Sequence, residues 1–210
     1  MRLILDIGSG PMPTFLIQWV SEHVWGRKSS ITASYGEIKE TDTYVCLDNS
    51  PEMLGHGKKY VEKFPHRAKI VKGILQYVVA NAAVLPFPDT VADAVLATNF
   101  FCIPPEAWCE GGMNEQEARR RKLPRFTGLV RQGLSDEEKF GIADELIRIL
   151  KPGGDLIVSH YQTFRYAVPS MVHLKHHLLL RMATETITHQ PDPKMWPNGG
   201  VEQRYTRARS

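Results

Sequence analysis

The chain has 210 residues, 42% of them hydrophobic and 23% charged, with a formal net charge of +3. This is the make-up of an ordinary globular domain, long enough to bury a core without disulfides or a structural metal. So small a net charge excludes an argument for nucleic acid from charge alone, and only local clustering could make one.

Cys46, Cys102 and Cys109 form an odd set without C-x-x-C spacing. That argues against a disulfide framework or a zinc knuckle and fits a reducing compartment. No stretch approaches the ~20 apolar residues that span a bilayer. The first strand is expected two residues after Met1, so no signal peptide is expected, and the expected location is cytoplasmic, with no membrane partner.

Residues 3–7 form a short apolar run that reads as a buried strand of a parallel sheet. It carries Asp6 near its end, followed by Gly8 and Gly10 with one residue between them. Without a Cβ on either glycine, the backbone of such a turn can approach a ligand closely. A helix that follows would aim its free N–H groups at the same ligand, which makes a nucleotide-type pocket.

Pro13 suits the first position of that helix, and Phe15, Leu16, Trp19, Val20 and Val24 give it one apolar face before Gly26 stops it. Residues 27–42 are polar without periodicity and read as an inserted loop. A second strand is expected at 44–48, closed by Asp48, and then a helix with Ser50 as its N-cap and Pro51 at its first position. A third strand is expected at 75–80, a structured loop at 81–89 and a fourth strand at 93–98.

Residues 100–133 fit no regular element of a minimal α/β unit. They hold two adjacent prolines, Trp108 and the basic run 119–122. Ser135, with Glu138 three residues on, has the spacing of a capping box for a helix reaching Leu150. Residues 151–154 read as its stop, and 155–159 as a fifth strand. Helical spacing at 169–182 and short strands at 184–188 and 201–206 complete the pattern. Strands alternating with helices argue for a doubly wound sheet whose ligands sit at the C-terminal strand ends.

Taken together, the motifs resemble the class I S-adenosylmethionine-dependent methyltransferases, most closely the members acting on small molecules. Residues 5–10 match the first family motif, 47–54 the second, 81–89 with 93–95 the third, and 146–154 the last. The resemblance implies a Rossmann-like, mostly parallel α/β sheet, of seven strands with an antiparallel C-terminal strand. It would form a single domain over 1–210, with insertions at about 27–42 and 100–134. It implies S-adenosyl-L-methionine as cofactor. Asp6 and the backbone of Gly8 and Gly10 would hold its amino-acid end, and Asp48 its ribose hydroxyls. Met53, or Asn49 beside Asp48, would border the adenine. Ala82 would bind the ring through its backbone and Asn81 would meet the exocyclic amine.

The chain departs from the family pattern in three places. Asn81 stands where an aspartate is usual, and its amide oxygen still accepts. Gly10 and Asp48 are 38 residues apart, against ~20 in the dinucleotide fingerprint, and the insertion at 27–42 accounts for the difference. The helical sequence that commonly precedes the first strand is nearly absent. The cofactor's cover would then come from 100–133 or from a homodimer or partner subunit, or the site would stay open.

Methyl transfer from a sulfonium needs mainly alignment and exclusion of water, with a general base for some acceptors. His160 after the fifth strand and Asn99 after the fourth are the catalytic candidates, with Phe100 as a pocket wall. His173 and His177 share a helix face, but no third ligand sits at metal spacing, so no metal is expected. The acceptor expected is a small molecule. An RNA acceptor using the basic run, or a non-catalytic binding or assembly protein on the same fold, are the competing readings.

Overall fold

The computed structural model describes residues 1–10, 13–14, 41–63, 75–98, 100–101, 134–161, 167–189 and 200–209. The helix expected from Pro13, the loop at 27–42, the basic run at 119–122 and Asn99 lie outside them, apart from the helical Thr14 and residues 41–42.

In chain order the elements are β1 (Leu3–Ile7), β2 (Thr43–Asp48), α1 (Pro51–Glu62), β3 (Leu75–Val79) and β4 (Ala92–Thr98). They continue with α2 (Asp136–Ile149), β5 (Leu150–Tyr161), α3 (Ala167–Leu179), β6 (Met182–His189) and β7 (Gly200–Arg207). The strands form one seven-stranded sheet in the order β3-β2-β1-β4-β5-β7-β6. β1 to β5 run parallel, and β7 is inserted antiparallel between β5 and β6. This is the doubly wound, Rossmann-like α/β architecture with an antiparallel C-terminal strand.

The central strands are buried almost throughout because both faces of the sheet are covered, as their unbroken apolar runs require. On one face Leu5, Val45, Val95 and Val158 join a core with Ile142, Leu146 and Ile149 of α2 and Leu174 and Leu178 of α3. On the other face Ile4, Tyr44, Cys46, Leu96 and Ile157 are buried. α1 packs on β2 and β3, burying Leu54 and Val61.

α2 starts at a complete capping box. Ser135 Oγ accepts from Glu138 N, and Ser135 N donates to the Glu138 carboxylate at 2.7 Å. Its last turn is held by Arg207 of β7, whose guanidinium donates to the carbonyls of Ile147 (2.9 Å) and Leu150.

One expectation is corrected here. Residues 151–154 do not separate α2 from β5, because the strand begins at Leu150, the residue that caps the helix. Leu150 pairs with Ala92 and Asp155 with Ala94, so the surplus residues bulge out of the ladder. Gly154 makes that possible, because a Cβ there would lie 3.0–3.2 Å from three backbone oxygens.

α2 and α3 lie side by side, joined by polar contacts. His173 pairs with Asp136 and His177 with Asp144, while the Phe140 ring stacks on His177 at 4.7 Å. The two histidines are therefore engaged by separate carboxylates. No helix among the described residues is long and apolar enough to cross a membrane.

Candidate cofactor site at the strand ends

The sheet order places the C-terminal ends of β3, β2, β1, β4 and β5 side by side, with the order of strand addition reversing at β1, between β2 on one side and β4 on the other. Ligands of open α/β sheets bind in the crevice outside such ends. β1 leads into the turn at Gly8 and Gly10, whose φ angles are +61° and +55°. Only glycine adopts this left-handed region without strain. Gly8 is also closely approached: a Cβ there would fall 2.5 Å from Cδ2 of Phe100.

The turn is tied to β2 by two bonds. Ser9 N donates to Leu47 O at 3.0 Å, and Gly10 N donates to Asp48 Oδ2 at 3.1 Å. The second oxygen of Asp48 accepts from Ser50 N at 2.9 Å. A carboxylate has about four acceptor positions, so Asp48 keeps capacity for further donors. Ser50 Oγ in turn accepts from Met53 N, which fixes the start of α1. The Met53 methyl then lies 4.0 Å from where a Gly10 Cβ would be. Gly8, Gly10, Asp48, Asn49 and Met53 are thus brought to one place.

The wall on the β3 side is the loop that follows it. Val79 pairs in register with Asp48 and is 57% exposed, so an apolar surface stands open beside the carboxylate. Asn81 Oδ1 accepts from Ala83 N at 3.0 Å, a local turn that leaves its second lone pair and its amide N–H groups unused by that bond. The loop is anchored from α2: Leu85 N donates to Glu145 at 2.7 Å, and Arg148 donates to Phe87 O at 3.0 Å. The Arg148 guanidinium beside Glu145 is the main reason that its carboxyl lies below the usual range, ahead of the Leu85 amide.

Asp6 is arranged differently from the other acid. Its side chain is 1% exposed and accepts three hydrogen bonds inside the protein. These come from Thr14 N at 2.7 Å, Thr14 Oγ1 at 3.0 Å and Tyr44 OH at 2.7 Å. Burial pushes its pKa up to about 6, against the opposing effect of those donors. Asp6 thus fastens the chain beyond the glycine turn back to β1.

From Asp6 a row of hydroxyls continues across the sheet, which no sequence motif announced. Thr14 Oγ1 lies 3.1 Å from Thr98 Oγ1, at the end of β4, and Ser159 Oγ of β5 lies 3.1 Å from the same atom. The available signal was a hydroxyl residue at the end of two strands, which acquires meaning only once the sheet order is known. His160 lies within β5 one residue after Ser159, and Asn99 lies outside the described residues. Phe100 meets Phe101 edge to face at 5.0 Å.

The fold and this turn define a Rossmann-like protein with a nucleotide-type crevice at its strand ends. Among known families, the model of a methyltransferase domain matches residues 25–108. That match spans less than half of the chain, and the seven-stranded sheet has the topology that the resemblance to class I methyltransferases implies. No curated protein matches the chain in sequence.

Similar solved structures share the fold at low identity. The N-methyltransferase NodS of Bradyrhizobium japonicum, in complex with S-adenosyl-l-homocysteine, is 10% identical with a TM-score of 0.52, over 98% of this chain and 78% of its own. A SAM-dependent methyltransferase of Aquifex aeolicus is 13% identical with a TM-score of 0.54, over 99% and 82%. A predicted O-methyltransferase of Agrobacterium tumefaciens is 13% identical with a TM-score of 0.53, over 99% and 76%.

Proposed function

We propose that this protein transfers a methyl group from S-adenosylmethionine to a small-molecule acceptor. The observation that carries the reading is the left-handed glycine turn bonded directly to the Asp48 carboxylate. A turn with bare backbone beside an acid at the next strand end suits a ligand that is anionic at one part and a vicinal diol at another. The residues present fit that cofactor. Among the described residues a Cβ on Gly10 would meet nothing closer than 3.9 Å, and Asp48 retains acceptor capacity.

In this reading Asp48 accepts from the ribose hydroxyls, and the Gly8–Gly10 backbone receives the amino-acid end. Met53 and Asn49 border the adenine on one side, and Ala82 with Asn81 on the other. Asp6 acts one step back, by holding the turn in shape. When bound, the cofactor supplies an electrophilic methyl group on sulfur. The chain's own contribution is alignment and exclusion of water, with Phe100 walling the methionine end over Gly8. His160 and Asn99, which follow Ser159 and Thr98 in the sequence, are the residues proposed to act on the acceptor. A neutral imidazole at His160 would take a proton from a hydroxyl or ammonium nucleophile.

The test is titration calorimetry with S-adenosylhomocysteine. The folded wild type is expected to bind, and Asp48→Ala to weaken binding by at least about tenfold through loss of hydrogen bonds to a charged acceptor. Unchanged affinity in that variant refutes the site, and no binding by the wild type at millimolar ligand refutes the cofactor.

A further inference from the structure

The polar row at the strand ends holds a constraint that reaches beyond the cofactor's contacts. Thr14, Thr98 and Ser159 each have a single hydroxyl proton, and they stand in line behind Asp6 at 3.0, 3.1 and 3.1 Å. While Asp6 is ionised it can only accept, so the Thr14 proton must point to it. Thr98 must then donate to Thr14, and Ser159 to Thr98. If Asp6 takes up a proton on Oδ1, the order reverses. Asp6 donates to Thr14, Thr14 to Thr98, Thr98 to Ser159, and the Ser159 proton turns away from the row. One proton from solvent forms an O–H bond at Asp6 Oδ1, and every other change is a hydroxyl turning from one hydrogen-bond partner to the other.

We propose that Asp6, Thr14, Thr98 and Ser159 form a positioning relay that couples the shape of the glycine turn to the ends of β4 and β5. Thr98 and Ser159 thereby set cofactor affinity without touching the cofactor. The inference rests on the cofactor reading above for that last step only. Three observations support it. Asp6, Thr14 and Ser159 are 1%, 3% and 1% exposed and Thr98 between them is half-buried, so both ends of the row are closed to water. Thr14 contributes both its backbone N–H and its hydroxyl to Asp6, so reversing the row alters the bond that fastens the turn. The pKa of Asp6, pushed up to about 6, puts the reversal just below neutrality.

Other charged or titratable groups face Asp6 from β2. Asp48 disfavours its ionised form, Tyr44 OH donates to it, and the Cys46 thiol is held protonated by burial.

The experiment follows the Asp6 carboxyl carbon by NMR from pH 4 to 8 in the unliganded protein, as wild type, Thr98→Val and Ser159→Ala. S-adenosylhomocysteine affinity is measured at pH 5.5 and 8 in parallel, and folding is checked by circular dichroism. Each substitution removes a donor from the ionised row, so the Asp6 midpoint is expected to rise by about half a pH unit for Thr98→Val and less for Ser159→Ala. Wild-type affinity is expected to be several-fold weaker at pH 5.5 than at 8. That ratio should grow in Thr98→Val, whose Asp6 is more fully protonated at pH 5.5. An unmoved midpoint in both folded variants overturns the relay. A shifted midpoint in a wild type that binds no S-adenosylhomocysteine leaves the relay standing and overturns the cofactor reading. Thr98→Ser keeps the hydroxyl and is expected to restore both the midpoint and the affinity.

Discussion

Replacing Gly8 with alanine tests whether the glycine turn is shaped by its backbone, by Phe100, or by both. At φ +61° an L-residue pays about 1–2 kcal/mol for the left-handed conformation. The new methyl would also stand 2.5 Å from Phe100 Cδ2 and 3.1 Å from Cε2. Carbon atoms settle at about 3.5–4.0 Å, so the ring must withdraw by roughly 1 Å, and such overpacking costs about 1–3 kcal/mol. Gly8→Ala is therefore expected to lower stability by about 2–5 kcal/mol in urea unfolding, at unchanged m-value. In a Phe100→Ala background only the backbone part remains, about 1–2 kcal/mol. The cycle should show a coupling of about 1–3 kcal/mol. Strict additivity would refute the contact between Phe100 and the turn. A negligible cost for Gly8→Ala in both backgrounds would refute the left-handed turn itself.

Asp6 gives a pH signature of its own. Its folded pKa, about 6, lies above its ordinary 3.8, so between these values the native state binds more protons than the unfolded one. Stability from this group is full below the lower value and is lost as pH rises through the upper one. Linkage gives about 1 kcal/mol less stability from Asp6 at pH 7 than at pH 5. Relative to wild type, Asp6→Asn should flatten that slope in urea titrations, and an identical slope would show that Asp6 does not titrate there. At the start of α2, Ser135→Ala removes the acceptor for Glu138 N and should cost about 1 kcal/mol. Thermal unfolding measures it, and a cost near zero would mean that the box carries no stability.

Much of the fold is visible in local pattern. The runs at β1, β2 and β4 are apolar on both faces, which only a doubly covered parallel strand requires. Ser135 with Glu138, and Ser50 with Pro51, mark helix starts through bonds made within four residues. The segment 151–154 misleads because its Pro-Gly-Gly composition is that of a stop. Pairing of Leu150 with Ala92, far away in sequence, starts the strand early and turns those residues into a bulge. The site divides in the same way. Gly8, Gly10, Asp48 and Met53 sit in short motifs, and the fold brings them together. Thr98 and Ser159 carry no motif, because their role depends on β4 and β5 being neighbours and ending at the same height.

The same dependence on assembly explains why the end of β1 carries a carboxylate. Three donors converge there: Thr14 N, Thr14 Oγ1 and Tyr44 OH. An asparagine would offer one acceptor oxygen and bring two N–H groups against the remaining donors. A protonated acid is acceptable only if the hydroxyl row reverses. An ionised carboxylate accepts all three at once, although burial disfavours its charge. The fold thus holds a charge where burial alone would remove it, and the three donors at the glycine turn are what offset much of that cost. On this account stability and binding respond oppositely to acid. Lowering the pH through about 6 relieves the buried charge and steadies the native state, while the same proton reverses the bond between Asp6 and the Thr14 hydroxyl and leaves only the Thr14 N–H donating to the carboxyl. A group that served only the core would show the first response without the second.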